Sequence, residues 1–221
     1  MVGTSLGTGA LQEPKMDEPT LIECIRAGDT SLFLDLIRPY ERSIYLIAYS
    51  VLKNEADAED TAQETVLKAF QHLDQLRSNT SFKSWLLHIA MNEARMRRRK
   101  GRAHLYESLD EGIQQSEEGE IMPRQLADWR EIPSEALERK ELRQQLSAAL
   151  YSLPENYREI FLLRDVQHLS EKEAAEVLGI SVSAAKIRLH RARLQLREKL
   201  TPIFKKRWRD RLPFLKGEKP W

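Results

Sequence analysis

The chain has 221 residues, a formal net charge of +1 and a 41% apolar composition, enough to bury one or more small cores. Its single cysteine, Cys24, excludes an intramolecular disulfide and a cysteine-based zinc site, and the histidines (His72, His88, His104, His168, His190) are too dispersed for a metal motif. No apolar run approaches the roughly 18 residues of a membrane helix, and the N-terminus lacks a basic segment followed by an apolar one. With 31% charged residues and little glycine, a helix-rich soluble protein in the cytoplasm is expected.

Residues 1–18, rich in Gly, Thr and Pro and without periodicity, read as a flexible leader, with Met16 a second candidate start. From 19 to 101 the pattern is helical throughout. A short helix, TLIECIRA, stops at Gly28-Asp29; Thr30 or Ser31 is placed to cap the next, and Pro39 marks a boundary or kink. The apolar run Tyr40 to Leu52 predicts a central core helix. A further helix from about Asp57 to Leu73 turns Ala62, Val66, Ala69, Phe70 and Leu73 inward. A polar loop over 74–80 follows, and Ser81 opens a long helix reaching Lys100.

Between 102 and 134 the character changes. Six acidic residues (Glu107, Asp110, Glu111, Glu117, Glu118, Glu120) occur with no basic one between them, and Pro123 and Pro133 punctuate the segment. It reads as an acidic linker. Helical patterning resumes over 135–200, giving an all-α architecture of two small helical domains joined by a flexible tether. Residues 201–221 form a tail with seven basic residues and interleaved Phe204, Trp208 and Phe214. A frayed or partly helical extension is expected there, with a peripheral membrane or upstream-DNA contact as the alternative.

The second half contains a helix-turn-helix from Ser170 to about Leu200. Ser170 and Glu173 have the spacing of a capping box, in which hydroxyl and carboxylate each satisfy a free backbone N–H. Ala174, Ala175 and Leu178 give the first helix a narrow packing face, and Gly179 stands where that helix must end in a left-handed conformation. Ile180 and Val182 are expected to fill the corner, and Ser181 or Ser183 to cap the second helix. There Ala185, Leu189, Ala192 and Leu196 mark the buried stripe, leaving Ser183, Lys186, Ile187, His190 and Arg191 outward with Arg188 and Arg193 at the sides. A helix of this design enters the major groove while flanking cations contact phosphates, and Ile187 suits a thymine methyl or a protein surface.

The stretch LPENYREIFLLRDVQHLSEKEAAEVLGIS resembles the C-terminal domain of extracytoplasmic-function sigma factors, a branch of the sigma-70 family. DAEDTAQETVLKAF from Asp57 and SFKSWLLHIAMNEARMRRRK from Ser81 resemble its N-terminal domain. The resemblance implies that 19–101 docks on polymerase and engages the −10 element, while 135–200 reads the −35 element. It assigns Asp60, Gln63 and Glu64 to polymerase docking, where an acidic and amide face suits basic side chains. It assigns Asn79, Thr80, Ser81, Phe82, Lys83, Asn92, Arg95, Arg98 and Arg99 to the −10 element and its unpaired non-template strand. A polar loop can hydrogen-bond an extruded base there, aromatics can stack, and the cation run Arg95 to Arg102 suits phosphates. Trp85 is expected in the core. The resemblance also implies control by an anti-sigma factor, and leaves the linker either threading the polymerase channel or serving as a plain tether. Ser183, Ala184, Ala185 and Ile187 depart from the family pattern, as do Arg95 and Met96, which leaves promoter preference unassigned.

No nucleophile–base pair or metal constellation supports catalysis, and no cofactor is expected. Two other readings share parts of this pattern: a stand-alone helix-turn-helix regulator with a helical sensor domain, and an RNA-binding adaptor using the arginine cluster. The expected partners of the leading reading are core RNA polymerase and promoter DNA.

Overall fold

The computed structural model describes residues 16–77, 82–107, 142 and 144–211, and every regular element among them is helical. Helix α1, Glu18–Arg26, starts where the Asp17 carboxylate accepts the Thr20 amide at 3.2 Å and ends before Gly28 at φ +115°. Helix α2, Phe33–Ile37, is flanked by 3₁₀ turns at Thr30–Leu32 and Arg38–Tyr40, the latter containing Pro39. Thr30 and Ser31 therefore sit inside a turn and do not cap it; the Ser31 hydroxyl donates to the Asp29 carboxylate at 2.6 Å.

Helix α3, Glu41–Leu52, is the central helix, with Ile44, Ile47, Ala48 and Val51 buried and α4 and α5 packed on it. It ends at Lys53, a non-glycine residue in the left-handed region at φ 55°. Helix α4, Glu55–Gln71, begins earlier than its apolar pattern suggests because the Asn54 side chain accepts the Asp57 amide at 2.9 Å. Its buried stripe is Ala58, Thr61, Thr65 and Ala69, which rotates the helix from the expected face. Ala62 and Val66 are half-buried, and Phe70 is 42% exposed, its ring edge-on to that of Phe33 with the ring centres 5.0 Å apart. Small residues at the contact admit close approach, while the larger ones line a cleft of about 480 Å³ with Phe33, Ile44 and Leu67.

Helix α5, Phe82–Glu107, buries Phe82, Leu86, Leu87, Ala90, Met91 and Ala94 completely. It runs past Lys100, so the first residues of the acidic segment are helical; residues 108–134 of that segment lie outside the described residues. The second half comprises α6 (144–151), α7 (Glu155–Phe161) continuing into a π-helical turn (Leu162–Val166), α8 (Glu171–Leu178) and α9 (Val182–Arg211). The basic tail thus begins as a continuation of α9 through Pro202, and residues 212–221 lie outside the described residues.

The halves pack against each other, α5 against α8 and α3 against α7, and one apolar cluster contains residues of both. At that contact the Arg158 guanidinium is buried and donates to the Ser50, Tyr151 and Leu153 carbonyls at 3.0, 3.0 and 3.2 Å. Ser50 lies in the last turn of α3 and Tyr151 ends α6, so one cation satisfies the orphan carbonyls of two helix C-termini, one from each half. Burial holds the Arg158 pKa below its ordinary value. The Tyr49 and Tyr151 rings meet edge to face across the same contact at 5.3 Å.

Candidate nucleic-acid interface

In the second half the reading helix is aimed by its turn. The Ser170 hydroxyl accepts the Glu173 amide at 3.2 Å, and the Glu173 carboxylate accepts the Ser170 amide at 2.7 Å. This reciprocal bond pulls the Glu173 pKa below the usual carboxylate value. Gly179 ends α8 at φ +67°, and the Ser181 hydroxyl accepts the Ala184 amide at 3.2 Å to cap α9. Ala174, Ala175, Val177 and Leu178 bury one face of α8; Ala185, Leu189, Ala192 and Leu196 bury the matching face of α9. Ile180 packs against the core at the corner, whereas Val182 is 40% exposed and does not fill it: as the first α9 residue it projects past the turn.

Ser183, Lys186, Ile187, His190 and Arg191 all lie exposed on α9, with Ile187 54% accessible, and Arg188 is half-buried. The cations are oriented from neighbouring elements. Lys186 pairs with Glu171 of α8 at 3.3 Å, and Arg191 donates to the Tyr157 hydroxyl at 3.5 Å. Arg193 makes a two-pronged bond to Asp165 at 2.9 and 2.6 Å, which raises its pKa. Asp165 lies in the π turn, closed by the Gln167 amide donating to the Leu162 carbonyl at 2.8 Å. The chain then reverses through His168, at φ 58°, into α8. Nothing in the apolar periodicity announces either carboxylate as a partner of α9.

In the first half, α5 and α4 present their polar side chains differently from a single open face. Asn92, Arg99 and Lys100 are exposed. Arg97 bridges Asp57 and Asp60 of α4 at 2.9 and 2.8 Å; these bonds outweigh the opposing effect of burial and raise its pKa. Asp60 is therefore already engaged within the protein, while Gln63 and Glu64 are exposed beside the apolar cleft. Glu64 lies 3.6 Å from Lys68, which also bonds Glu93 at 2.7 Å; the Glu93 bond chiefly holds the Lys68 pKa up. Phe82 is fully buried, its ring 5.6 Å from Tyr40 and 5.9 Å from Trp85, so it braces the start of α5 and presents no face to a base. Trp85 is half-buried against the core, as is Tyr40. Asn79, Thr80 and Ser81, and the Arg102 side chain, lie outside the described residues.

Lys83, Arg95 and Arg98 point at the other half. Lys83 donates to the Gln167 carbonyl at 2.5 Å, Arg95 to Glu159 at 2.7 Å and to the Leu178 carbonyl at 3.5 Å, and Arg98 pairs with Glu155. Burial pushes the Glu159 carboxyl pKa up despite the Arg95 charge, and its Oε1 has no hydrogen-bond partner. Burial acts the same way on Glu155, but its bond to Arg98 prevails and the pKa is lowered. Cys24, the single cysteine, is half-buried. Among the described residues no group of three or more His, Cys, Asp or Glu side chains is arranged for a metal ion, and no helix is long and apolar enough to cross a membrane.

Two family descriptions match the chain: "Sigma-70 region 2" over residues 36–104 and "Sigma-70, region 4" over residues 143–196. The chain is 34% identical over 182 residues to the ECF RNA polymerase sigma factor SigW of Bacillus subtilis (strain 168), covering 82% of this chain and 96% of that protein. It is 32% identical over 189 residues to the ECF RNA polymerase sigma factor SigE of Mycolicibacterium smegmatis, covering 83% and 69% respectively. Among solved structures, the sigma factor RpoE in complex with the anti-sigma factor NepR from Bartonella quintana aligns with a TM-score of 0.60 at 25% identity, over 76% of this chain and 96% of that one. CnrH in complex with the cytosolic domain of CnrY aligns at 0.56 and 25%, over 84% and 97%.

Proposed function

Since the chain belongs to the extracytoplasmic-function group of the sigma-70 family, we propose that its two helical halves divide promoter recognition between them. As an RNA polymerase sigma factor it directs core polymerase to specific promoters and helps open the DNA for initiation. The region 2 match over 36–104 disfavours a stand-alone helix-turn-helix regulator, which has no need of that half. The partners are core RNA polymerase, promoter DNA and an anti-sigma factor; the aligned RpoE structure is a sigma factor in complex with the anti-sigma factor NepR.

The α9 face supports the −35 assignment best. Ser183, Lys186, Ile187, His190 and Arg191 stand exposed above a fully buried stripe, on a helix aimed by a two-way cap and a left-handed glycine. Ser183, Lys186 and Ile187 lie near the N-terminal end that enters the groove; Arg188, Arg191 and Arg193 follow as phosphate contacts. Gln63 and Glu64 dock polymerase beside the Leu67–Phe70 cleft, with Asp60 contributing once it leaves Arg97. Asn79, Thr80, Ser81, Lys83, Asn92, Arg95, Arg98 and Arg99 receive the −10 element, with Phe82 supporting them from the core. The factor makes and breaks no covalent bond and works in the cytoplasm, lowering the free energy of the open promoter by binding it.

Reconstitution with core polymerase on a supercoiled promoter library tests the reading. Initiation above core polymerase alone is expected, and its absence overturns it. Lys186→Ala with Arg191→Ala should weaken −35-type duplex binding while leaving polymerase capture intact, and Glu64→Ala should do the reverse. Each lost phosphate contact should flatten the log–log salt slope by about 0.9.

A further inference from the structure

Lys186, the first cation of α9 and the one nearest its groove-entering end, does not stand alone. Its ammonium lies 3.3 Å from the carboxylate of Glu171, in the first turn of α8, and the two side chains are 59% and 39% exposed. Arg191, farther along, meets only the neutral Tyr157 hydroxyl, so nothing there opposes its charge. Arg193 is paired as well, but about 10 Å farther down the helix and with Asp165 of the π turn. An anion beside Lys186 weakens its hold on DNA backbone. A lysine is a compact point charge that takes any phosphate without regard to sequence. Any phosphate within its reach here also meets Glu171, which opposes the attraction. Stability gives no reason for the pair, since exposed ion pairs of this kind contribute little. At a base edge the balance differs: bases present neutral donors and acceptors, so the carboxylate meets no net negative charge, and the tether narrows the positions the ammonium visits.

We propose that Glu171 is a specificity-determining residue that acts through Lys186. It withholds that lysine from phosphates and keeps it for base edges, lowering affinity for arbitrary duplex more than for the −35 element. The inference rests on the assignment of α9 to duplex DNA. Discrimination is a difference of affinities, and weakening the wrong complex raises it as surely as strengthening the right one. The non-specific complex is held almost wholly by phosphate contacts, so opposing one cation harms it most. The capping box of Ser170 and Glu173 does not involve Glu171, which leaves this carboxylate free to serve recognition.

The test titrates the full chain against a fluorescein-labelled random-sequence duplex of about 30 base pairs, by anisotropy between about 50 and 200 mM salt. Glu171→Gln should tighten binding about fivefold at the lower salt and steepen the log–log slope by about 0.9, the mark of one added phosphate contact. With Lys186→Ala already in place, the same change should alter affinity less than about twofold and leave the slope as it was. Glu198→Gln is the charge control. It lies about 18 Å from Lys186 along α9, beyond the ~10 Å over which charges act in 0.1 M salt, and should have as little effect. For holoenzyme selecting from a promoter library, Glu171→Gln should lower the enrichment of −35 sequences over random ones about threefold to fivefold, with initiation retained at the selected promoters. Arg191→Ala separates the proposal from its premise. If that change leaves duplex affinity unaltered, α9 is not the DNA face and the proposal falls with it. If Arg191→Ala weakens binding while Glu171→Gln alters neither slope nor enrichment, the restraint on Lys186 is overturned and α9 stands. Equal tightening by Glu171→Gln with and without Lys186, or by Glu198→Gln, overturns it in favour of bulk charge.

Discussion

Replacing Arg158 by alanine should destabilise the whole chain, and the size of the loss follows from its bonds. The guanidinium makes three bonds to carbonyls at 3.0 to 3.2 Å and stands 5.7 Å from the Tyr151 ring centre. Hydrogen bonds to a charged group contribute roughly 1.5–3 kcal/mol each, about 4.5–9 kcal/mol for three. Against that stands the desolvation of a buried cation, several kcal/mol, which the variant no longer bears. The net expectation is about 3 kcal/mol, because truncation leaves the Ser50 and Tyr151 carbonyls buried without donors. At roughly 2–4 °C per kcal/mol for a chain of this size, Tm should fall by about 6–12 °C. Arg158→Lys should recover only part, since one ammonium cannot reach carbonyls on two sides of the contact. Denaturation followed by circular dichroism measures both. A fall below about 2 °C for the alanine variant would refute the view that this cation caps both helices.

The turn of the helix-turn-helix and its cap offer sharper, smaller tests. Ser170→Ala should cost about 1 kcal/mol of stability. Because the folded Glu173 pKa lies below its ordinary 4.5, the capping-box contribution is complete above that value and is lost as pH falls through the lowered one. The difference between Glu173→Gln and the unaltered chain in urea unfolding should accordingly shrink below about pH 4.5. At Gly179 nothing lies within 4 Å of an added Cβ, so Gly179→Ala should cost only the left-handed strain of about 1–2 kcal/mol and Gly179→Asn less. Lys53 holds the same conformation with a side chain, and Lys53→Gly should stabilise by a similar amount. Equal signs for the Gly179→Ala and Lys53→Gly changes in thermal melts would contradict the strain argument.

The helix-turn-helix was readable in sequence because its determinants are local. A cap three residues from its partner, a glycine at a helix end and a stripe at spacings of four, three and four are encoded within one turn or two of each other. The N-terminal helices were readable for the same reason, with errors where the local signal was ambiguous. On α4, Phe70 and Val66 look like core, but Thr61 and Thr65 are the buried residues; Thr65 satisfies its hydroxyl on the Thr61 carbonyl at 2.7 Å, so a polar residue can face inward. The acidic composition beyond Lys100 suggests a linker, yet α5 continues to Glu107, because composition does not forbid helix. The pairings of Arg97 with Asp57 and Asp60, and of Arg193 with Asp165, depend on how helices far apart in sequence cross. A charge run alone does not show which of its members are already spoken for, and so the contact between the halves could not be anticipated.

Several bonds that join the halves end on main chain: Arg158 on Ser50, Lys83 on Gln167, Arg95 on Leu178. A carbonyl oxygen is supplied by any amino acid, so the acceptor side of the joint can drift freely through mutation while the donor side cannot. Paired substitutions between relatives would leave such a joint invisible. Its trace would be solitary basic positions at Arg158 and Lys83 that tolerate no exchange, opposite neighbours that tolerate nearly all, with Arg95 alone also tied to a side chain, Glu159.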